Sequence, residues 1–499
     1  MITTDKLTSI FTQVRLMLLI KAFVMSSFYW YDLETFGISP QFDRIAQFAG
    51  IRTDLDLNPI GEPDMFYCQT TLDTIADPQA CLITGITPQE CDEKGVLDKD
   101  FMEKINTIFS EPHSCVVGYN SMRFDDEFIR YSLYRNLYDP YLREWSNGNS
   151  RWDIIDVVRA CYALRPEGIN WAFHEEGKPS FKLTDLTDAN NMIHTAAHDA
   201  LSDVEATIQV ARLLKSKQPK LFDFCLQLRN KKYVQSLLNW QLMKPIVHVS
   251  SKIPAQRGCL AIMLPLAIHP TNPNGVICYD LSTNPDDLFE LDVEDIRDRL
   301  YTPQDDLPEG IQRIPLKTIH INKSPIVAPL GVLKDVDLDR IKLDYSVVKE
   351  NLAKFKAQES LIQKVQAVFN QAFDNDSDDV DTMLYSGFFT AQDKQNFEFI
   401  RRSSIEKIRS TDLKFKDLRA QKLVTRFIAR NYPASLTAEE NAAWLKDIRN
   451  RINLRFGENA VLWFENLQLM RQQENDPTQL KILDFVEDYM KGKISSLNS

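Results

Sequence analysis

Phe28-Tyr29-Trp30-Tyr31-Asp32-Leu33-Glu34-Thr35 is the stretch on which the fold turns. Its aromatic run predicts a short buried strand, and a strand sends alternate side chains to opposite faces. Asp32 and Glu34 therefore leave the end of a central strand on one side. Two carboxylates placed there repel each other and lose hydration. A divalent cation between them removes both penalties, and hard carboxylate oxygens suit magnesium or manganese. An isolated Asp-x-Glu also reads as the start of a solvated turn, so residues further down the chain decide between the two.

Downstream, Gly37 and Pro40 mark a turn, and strands are predicted over 46–53 and 64–68, with Asn58-Pro59 and Gly61 between them. Three strands on short loops make an antiparallel meander. Pro88 suits the first turn of a helix, and Phe101, Ile105, Ile108 and Phe109 have helical spacing. A buried strand is predicted over 115–120, broken by Gly118 and Asn120. Phe124-Asp125-Asp126-Glu127 then opens a helix running towards Tyr138. Asp125 has two readings: an acid favoured in a first turn by the helix dipole, or a third carboxylate at the mouth of the sheet. Amphipathic spacing predicts a helix over 152–164, and Lys182-Leu183 with Leu186 begins a short one. His198-Asp199-Ala200-Leu201-Ser202-Asp203 precedes a long helical run to Leu214. His198 and Asp203 are a little over one turn apart, so both can reach a common point off the helix start. Taken singly, these are a cap and a solvated acid. Taken in order with Asp-x-Glu and Asp125, they form a set.

The chain has 499 residues, enough for two to four domains. With 44% hydrophobic and 26% charged residues it reads as globular. A net charge of -12 argues against a protein that coats nucleic acid or an anionic membrane by bulk charge. It leaves room for a nucleic-acid enzyme whose basic residues are confined to one cleft. The eight cysteines form no Cys-x-x-Cys pair, which suggests neither zinc nor disulfides and points to a reducing cytoplasm. The apolar run 14–24 is interrupted by Arg15 and Lys21, is too short to span a bilayer, and lacks a small-residue cleavage site. Met25 is expected to be the physiological start, with 1–24 an upstream extension. Mass spectrometry of the native N-terminus tests this.

Asp32, Glu34, Asp125, His198 and Asp203 follow the pattern of the DEDD superfamily of 3′-to-5′ exonucleases, in its histidine-bearing subclass. Longer strings resemble the bacterial exodeoxyribonuclease I family within it. They include Asp32-Leu33-Glu34-Thr35-Phe36-Gly37, Leu82-Ile83-Thr84-Gly85-Ile86-Thr87-Pro88-Gln89-Glu90, Gly118-Tyr119-Asn120 and Arg123-Phe124-Asp125-Asp126-Glu127. Cys161-Tyr162-Ala163-Leu164-Arg165-Pro166-Glu167-Gly168-Ile169-Asn170-Trp171, Met243-Lys244-Pro245 and His320-Ile321-Asn322-Lys323 extend the likeness. It covers nearly everything from Met25 on and weakens towards the C-terminus.

The resemblance implies an α/β ribonuclease-H-like exonuclease domain (25–216), a β-rich Src-homology-3-like barrel domain (217–357) and an α-helical C-terminal domain (358–499), closing as a clamp around single-stranded DNA. The β-like segments 247–249, 275–279 and 318–321 and the helical patterns from about Glu359 agree with it. The acidic stretch 374–381 superficially resembles a calcium loop, but it lacks the Gly and Glu such a loop needs and is expected to be a solvated linker. The implied activity is removal of 5′-mononucleotides from the 3′ end of single-stranded DNA, in repair and recombination. Two Mg2+ ions, with Mn2+ able to substitute, would lie ~3.5–4 Å apart. Asp32 would anchor both, Glu34 and Asp203 would complete the tighter site, and Asp125 would serve the second. His198 would take the proton of the attacking water.

Implied substrate contacts are Glu34 and a Ser-Phe-Arg-Leu string that reads here Ser180-Phe181-Lys182-Leu183, so Lys182 keeps the charge without the bidentate geometry. Further candidate DNA contacts are Arg130, Tyr141, Trp145, Arg159 and Arg165, with Arg151, Trp152, Arg229, Lys231, Lys232 and the region 401–430 behind them. The family also docks the acidic C-terminal tail of single-stranded DNA-binding protein, and suggests a monomer with no membrane partner. Two rivals remain: an exoribonuclease of the same superfamily, which the extra length opposes, and a non-catalytic DNA-binding scaffold, which five intact catalytic positions oppose.

Overall fold

The structure is a computed structural model that describes residues 27–174, 177–194, 199–356, 361–371 and 377–498. Met25 and His198 lie outside the described residues. β1 (Ser27–Thr35), β2 (Ile45–Thr53) and β3 (Asp64–Tyr67) form the expected antiparallel meander. Then come α1 (Pro78–Thr84), α2 (Pro88–Lys94), α3 (Asp98–Phe109), β4 (Ser114–Gly118), α4 (Asp125–Arg135), β5 (Ser150–Asp153), α5 (Ile154–Leu164), α6 (Leu183–Ala189) and α7 (Ala200–Lys217). The sheet order is β3-β2-β1-β4-β5, with β1, β4 and β5 parallel. β1 is thus central and covered on both faces. Phe28 and Trp30 pack towards α5 and α7, against Val157, Val204 and Ile208. Tyr29, Tyr31 and Leu33 pack towards α3 and α4, against Phe101, Phe109 and Phe128. Burial on both faces explains why its first half, residues 28–31, is aromatic throughout rather than alternating.

The helix expected over 152–164 is in fact a strand followed by a helix. Trp152 and Arg151 belong to β5, and Asp153 caps α5 by accepting from the Ile155 N–H at 3.2 Å. Helical periodicity extends backwards without a break because Trp152 is buried in the core that α5 also lines.

Two helices, α8 (Pro219–Gln227) and α9 (Lys231–Leu237), lead to a second sheet. It contains β6 (Ile246–Val249), β7 (Leu260–Ile268) and β8 (Gly275–Asp280), then, after α10 (Asp286–Glu290) and α11 (Val293–Tyr301), β9 (Leu316–His320) and β10 (Ile326–Pro329). It is antiparallel throughout, in the order β10-β6-β7-β8-β9. Its core is continuous with the α5–α7 side of the first sheet. α12 (Tyr345–Phe355) and α13 (Leu361–Phe369) come next, and α13 packs on β7 and α11.

The rest is helical: α14 (Ala391–Arg401), α15 (Ile405–Ser410), α16 (Leu418–Asn431), α17 (Ala438–Phe456), α18 (Val461–Gln473) and α19 (Pro477–Asn498). These helices hold the first sheet's domain in two places. Phe397, Leu423 and Phe427 pack on Tyr131 and Tyr134 of α4. Trp444, Trp463 and Val486 pack on Cys81 and Cys91 of α1 and α2. The expectation of a solvated linker over 374–381 is corrected at its described end. Asp381 is 2% exposed and pairs with Arg426 and Arg430 of α16. Asp379 and Asp381 are matched by arginines far along the chain. All eight cysteines are free and buried. Among the described residues no helix is long and apolar enough to cross a membrane.

Candidate active site

Asp32 and Glu34 share the parity of Phe28 and Trp30, so they face α7. Asp203 stands in the first turn of α7. The pairing register of β1 with β2 slips between Glu34 and Thr35, a bulge that ends regular pairing beside the carboxylates. Asp32, Glu34 and Asp203 each offer a carboxylate oxygen, and these oxygens lie within 4.8 Å of one another. The sequence put these side chains in one set, and the structure brings them together.

Their charges are mutually unfavourable. Burial, then the charge of Asp203, pushes the Asp32 carboxyl well above its usual range. Burial, then Asp32 and Asp203, pushes Glu34 up to about 9. Asp199 adds to both; it caps α7 by accepting from the Ser202 N–H at 3.0 Å.

Asp125 opens α4 beside this cluster. It is 4% exposed, and burial, with the nearby charges of Asp32 and Asp126, raises its carboxyl. Asp126 goes the other way. Burial would raise it too, but Arg151, Arg143 and Arg130 hold it well below the usual carboxylate range. It accepts from Arg143 at 2.6 Å, Arg151 at 2.5 Å and the Tyr31 hydroxyl at 2.9 Å. Of two adjacent acids, one is thus a structural anchor, and the other sits beside the cluster with its carboxyl raised. Asp153 fixes the turn between β4 and α4, accepting from the backbone N–H groups of Asn120 at 2.8 Å and Met122 at 3.1 Å.

Ser180-Phe181-Lys182-Leu183 is pinned to the same turn, because the Tyr119 hydroxyl donates to the Phe181 carbonyl at 2.7 Å. Lys182 is exposed and immediately precedes α6. Trp145 is 67% exposed. Tyr141 is half-buried, with the Arg130 guanidinium 5.4 Å from its ring centre. Arg130 is buried and bonded to Glu127 at 2.6 Å and Glu144 at 2.8 Å. Arg159 is buried, pairs with Asp156 at 2.7 Å and lies over the Phe181 ring. Arg165 donates to the Lys334 carbonyl at 3.3 Å. Arg151 is paired with Asp126 and Glu144, and Arg229 donates to Ser150 Oγ at 2.8 Å. Of the region 401–430, Arg426 and Arg430 are buried in ion pairs and Arg401 lies over the Tyr138 ring.

Sequence reasoning missed Asp153, Asp199 and His194. Asp153 and Asp199 each carry a helix-cap signal, an acid just ahead of an apolar helical run. His194, which touches Asp203, had none.

Known proteins share this fold. Three family models match in succession: Exonuclease over residues 29–211, Exonuclease I SH3-like domain over 229–371 and Exonuclease I C-terminal domain over 378–493. Exodeoxyribonuclease I of Haemophilus influenzae is 45% identical over 466 residues, covering 93% of this chain and 98% of that one. Escherichia coli exonuclease I in complex with a dA16 oligonucleotide superposes with a TM-score of 0.90 at 42% identity, covering 94% of this chain and 100% of that one. The zinc-ion-bound form of the E. coli enzyme with single-stranded DNA gives the same TM-score, identity and coverage. With the sheet, the barrel domain and the helical region all matched, the chain belongs to the exodeoxyribonuclease I family.

Proposed function

We propose that Asp32, Glu34, Asp125 and Asp203 hold two divalent cations, Mg2+ in the cell with Mn2+ able to substitute, with which this exodeoxyribonuclease hydrolyses single-stranded DNA from its 3′ end. The observation that carries the reading is the cluster of Asp32, Glu34 and Asp203: carboxylate oxygens within 4.8 Å of one another, where burial and then their mutual charge raise Asp32 and Glu34. Hard oxygen donors of this kind fit Mg2+ or Mn2+. The zinc-bound form of the E. coli relative supports a divalent ion in this family. Bound cations would polarise the scissile phosphate, acidify the attacking water and neutralise the leaving oxygen.

The chain's own residues do the rest. Asp32 would serve both ions, Glu34 and Asp203 would complete the tighter site with it, and Asp125, from the start of α4, would serve the second. Glu34 also borders the terminal nucleotide. The His198 ring nitrogen accepts the proton of the attacking water. Lys182 supplies a charge to a phosphate near the cut, and Trp145 and Tyr141 offer flat faces to bases, with Arg130, Arg159 and Arg165 alongside. The E. coli relative's oligonucleotide complex supports single-stranded DNA as the ligand. We further propose a cytoplasmic monomer that docks the acidic tail of single-stranded DNA-binding protein. The domain divisions are proposed after 216 and after 357.

The test is Mg2+-dependent degradation of a 3′-end-labelled oligonucleotide, with RNA of equal sequence as the comparison. Asp32→Ala should abolish turnover. His198→Ala should lose roughly 10²–10⁴-fold in rate while still binding DNA. Full turnover by His198→Ala removes that residue as the base, and equal rates on RNA and DNA overturn the substrate assignment.

A further inference from the structure

We propose that His194 is a positioning residue for Asp203, and that through this carboxylate it sets how tightly the acidic cluster holds a divalent cation. The proposal rests on the reading of Asp32, Glu34 and Asp203 as cation ligands. His194 Nε2 lies 2.6 Å from Asp203 Oδ1, and the imidazole is 3% exposed. Against a carboxylate the ring presents an N–H, so Nε2 donates and Oδ1 accepts. A carboxylate held by one oxygen directs its other oxygen, and outer hydrogen bonds of this kind tune metal ligands.

The ring is itself held in place. Its Nδ1 faces the Thr187 hydroxyl at 3.4 Å, and Thr187 is fully buried in α6, donating to the Thr184 carbonyl at 2.8 Å. The backbone on either side is anchored as well. Met192 N–H donates to the Thr187 carbonyl at 2.9 Å, and Gln209 of α7 donates to the Ile193 carbonyl at 3.0 Å. His194 therefore bridges α6 and α7 at the level of Asp203. Asp203 needs such a brace. It is drawn into a cluster whose like charges push it outward, and it sits on a helix turn rather than on a strand. Asp32 and Glu34, by contrast, are fixed by the paired backbone of β1. With Nε2 engaged on Asp203, His194 is a different kind of histidine from a proton acceptor facing water.

The experiment titrates Mn2+ into the full chain without DNA, by calorimetry and by electron paramagnetic resonance. It compares the wild type with His194→Phe, His194→Gln and Asp32→Ala, with melting in EDTA and kcat and KM alongside. Phe fills the ring's space without a donor, and Gln restores an N–H on a side chain of similar reach. His194→Phe should bind Mn2+ about 10–100-fold more weakly, His194→Gln should recover most of the affinity, and both should melt like the wild type in EDTA. At saturating Mn2+, kcat of His194→Phe should return towards the wild-type value with KM for DNA unchanged. Wild-type Mn2+ affinity in His194→Phe overturns the proposal, as does a kcat deficit that saturating Mn2+ does not repair. Asp32→Ala should lose Mn2+ binding; if it binds as the wild type does, the cation site itself lies elsewhere, and that result is read independently of His194.

Discussion

Asp32 is the residue at which fold and chemistry conflict most. It occupies a central strand position whose neighbours in sequence, Tyr31 and Leu33, are apolar and buried, and it faces two other acids. In the metal-free protein, one of these groups must stay protonated or repulsion must be tolerated. Glu34 is pushed up to about 9, by burial first and then by Asp32. A carboxyl raised in the folded state contributes stability that is fully present below its unfolded value and is lost as pH rises towards its folded one. Hence, in EDTA, the protein should melt at progressively lower temperature as pH rises from 5 to 9. Asp32→Asn should flatten that decline and melt higher than the wild type at pH 8, by roughly 1 °C for each kcal/mol of repulsion removed. Added Mg2+ should raise the wild type and leave Asp32→Asn nearly unmoved. Circular-dichroism melts in EDTA and in Mg2+ check this; identical metal-free melts for the two proteins would contradict it.

Between elements, the decisive contact joins β5 to the turn that launches α4. The Asp153 carboxylate accepts N–H donors from Asn120, Met122 and Ile155, so one side chain caps α5 and also aims Asp125. Burial, then Asp156, raises it to about 7 in spite of those donors. Asp153→Ala should cost about 1–2 kcal/mol as a lost cap. It should also slow turnover by up to roughly 10²-fold through a displaced Asp125, with DNA binding retained; Asp153→Asn, which keeps one acceptor oxygen, should lose less. Turnover and equilibrium denaturation of the two variants decide, and wild-type turnover in Asp153→Ala would detach the turn from catalysis. Such a contact was hidden in the sequence. β5 is four residues long and carries Arg151, whose charge makes sense only beside Asp126 and Glu144. β7 was missed because it is buried on both faces and so has no alternation, with a register slip at Pro265. By contrast, the meander, α3 and the long α7 were legible, because period and turn residues are local signals. The acidic cluster was legible in part: strand parity put Asp32 and Glu34 on one side and helix pitch put Asp203 at the start of α7, while the family resemblance implied that the three meet. The arginines looked free in sequence, yet Glu127 and Asp156 stand three residues before Arg130 and Arg159, the spacing of helical ion pairs.

Across the whole molecule, the helical region is tied to the first sheet's domain by a buried ionic core as well as by apolar packing. Asp73 lies at 2.9 Å from Arg44, 2.7 Å from Arg430 and 3.3 Å from Arg451, and Asp381 meets Arg430 and, at 3.2 Å, Arg426. Asp73 and Arg44 belong to the first domain, and Asp381, Arg426, Arg430 and Arg451 to the helical region. A second strap runs nearby. Gly37 has no Cβ, and one built there would fall 2.1 Å from Asp43 Oδ2, so the turn after β1 closes over Asp43, whose other oxygen accepts from Arg455 at 2.7 Å. Burial would raise Asp73 and Asp381, but the guanidinium charges win and hold both well below the usual carboxylate range. Carboxyls depressed in this way contribute stability that is present above their unfolded value and lost as pH falls through the folded one. Removing Asp381 leaves Arg430 with Asp73 and Arg426 with Asp379 and Asp447, so the buried guanidinium charge is only partly matched, which costs up to roughly 3–5 kcal/mol. Asp381→Ala should therefore loosen the helical region from the exonuclease domain, turning one calorimetric transition into two, with the lower one belonging to α14–α19. Because Asp73, Asp381 and Arg430 are buried, added salt should move the wild-type transition little, whereas acidification below the ordinary carboxylate range should split it as the mutation does. A single transition in Asp381→Ala at the wild-type temperature would mean that apolar packing on α1, α2 and α4 holds the two parts together unaided.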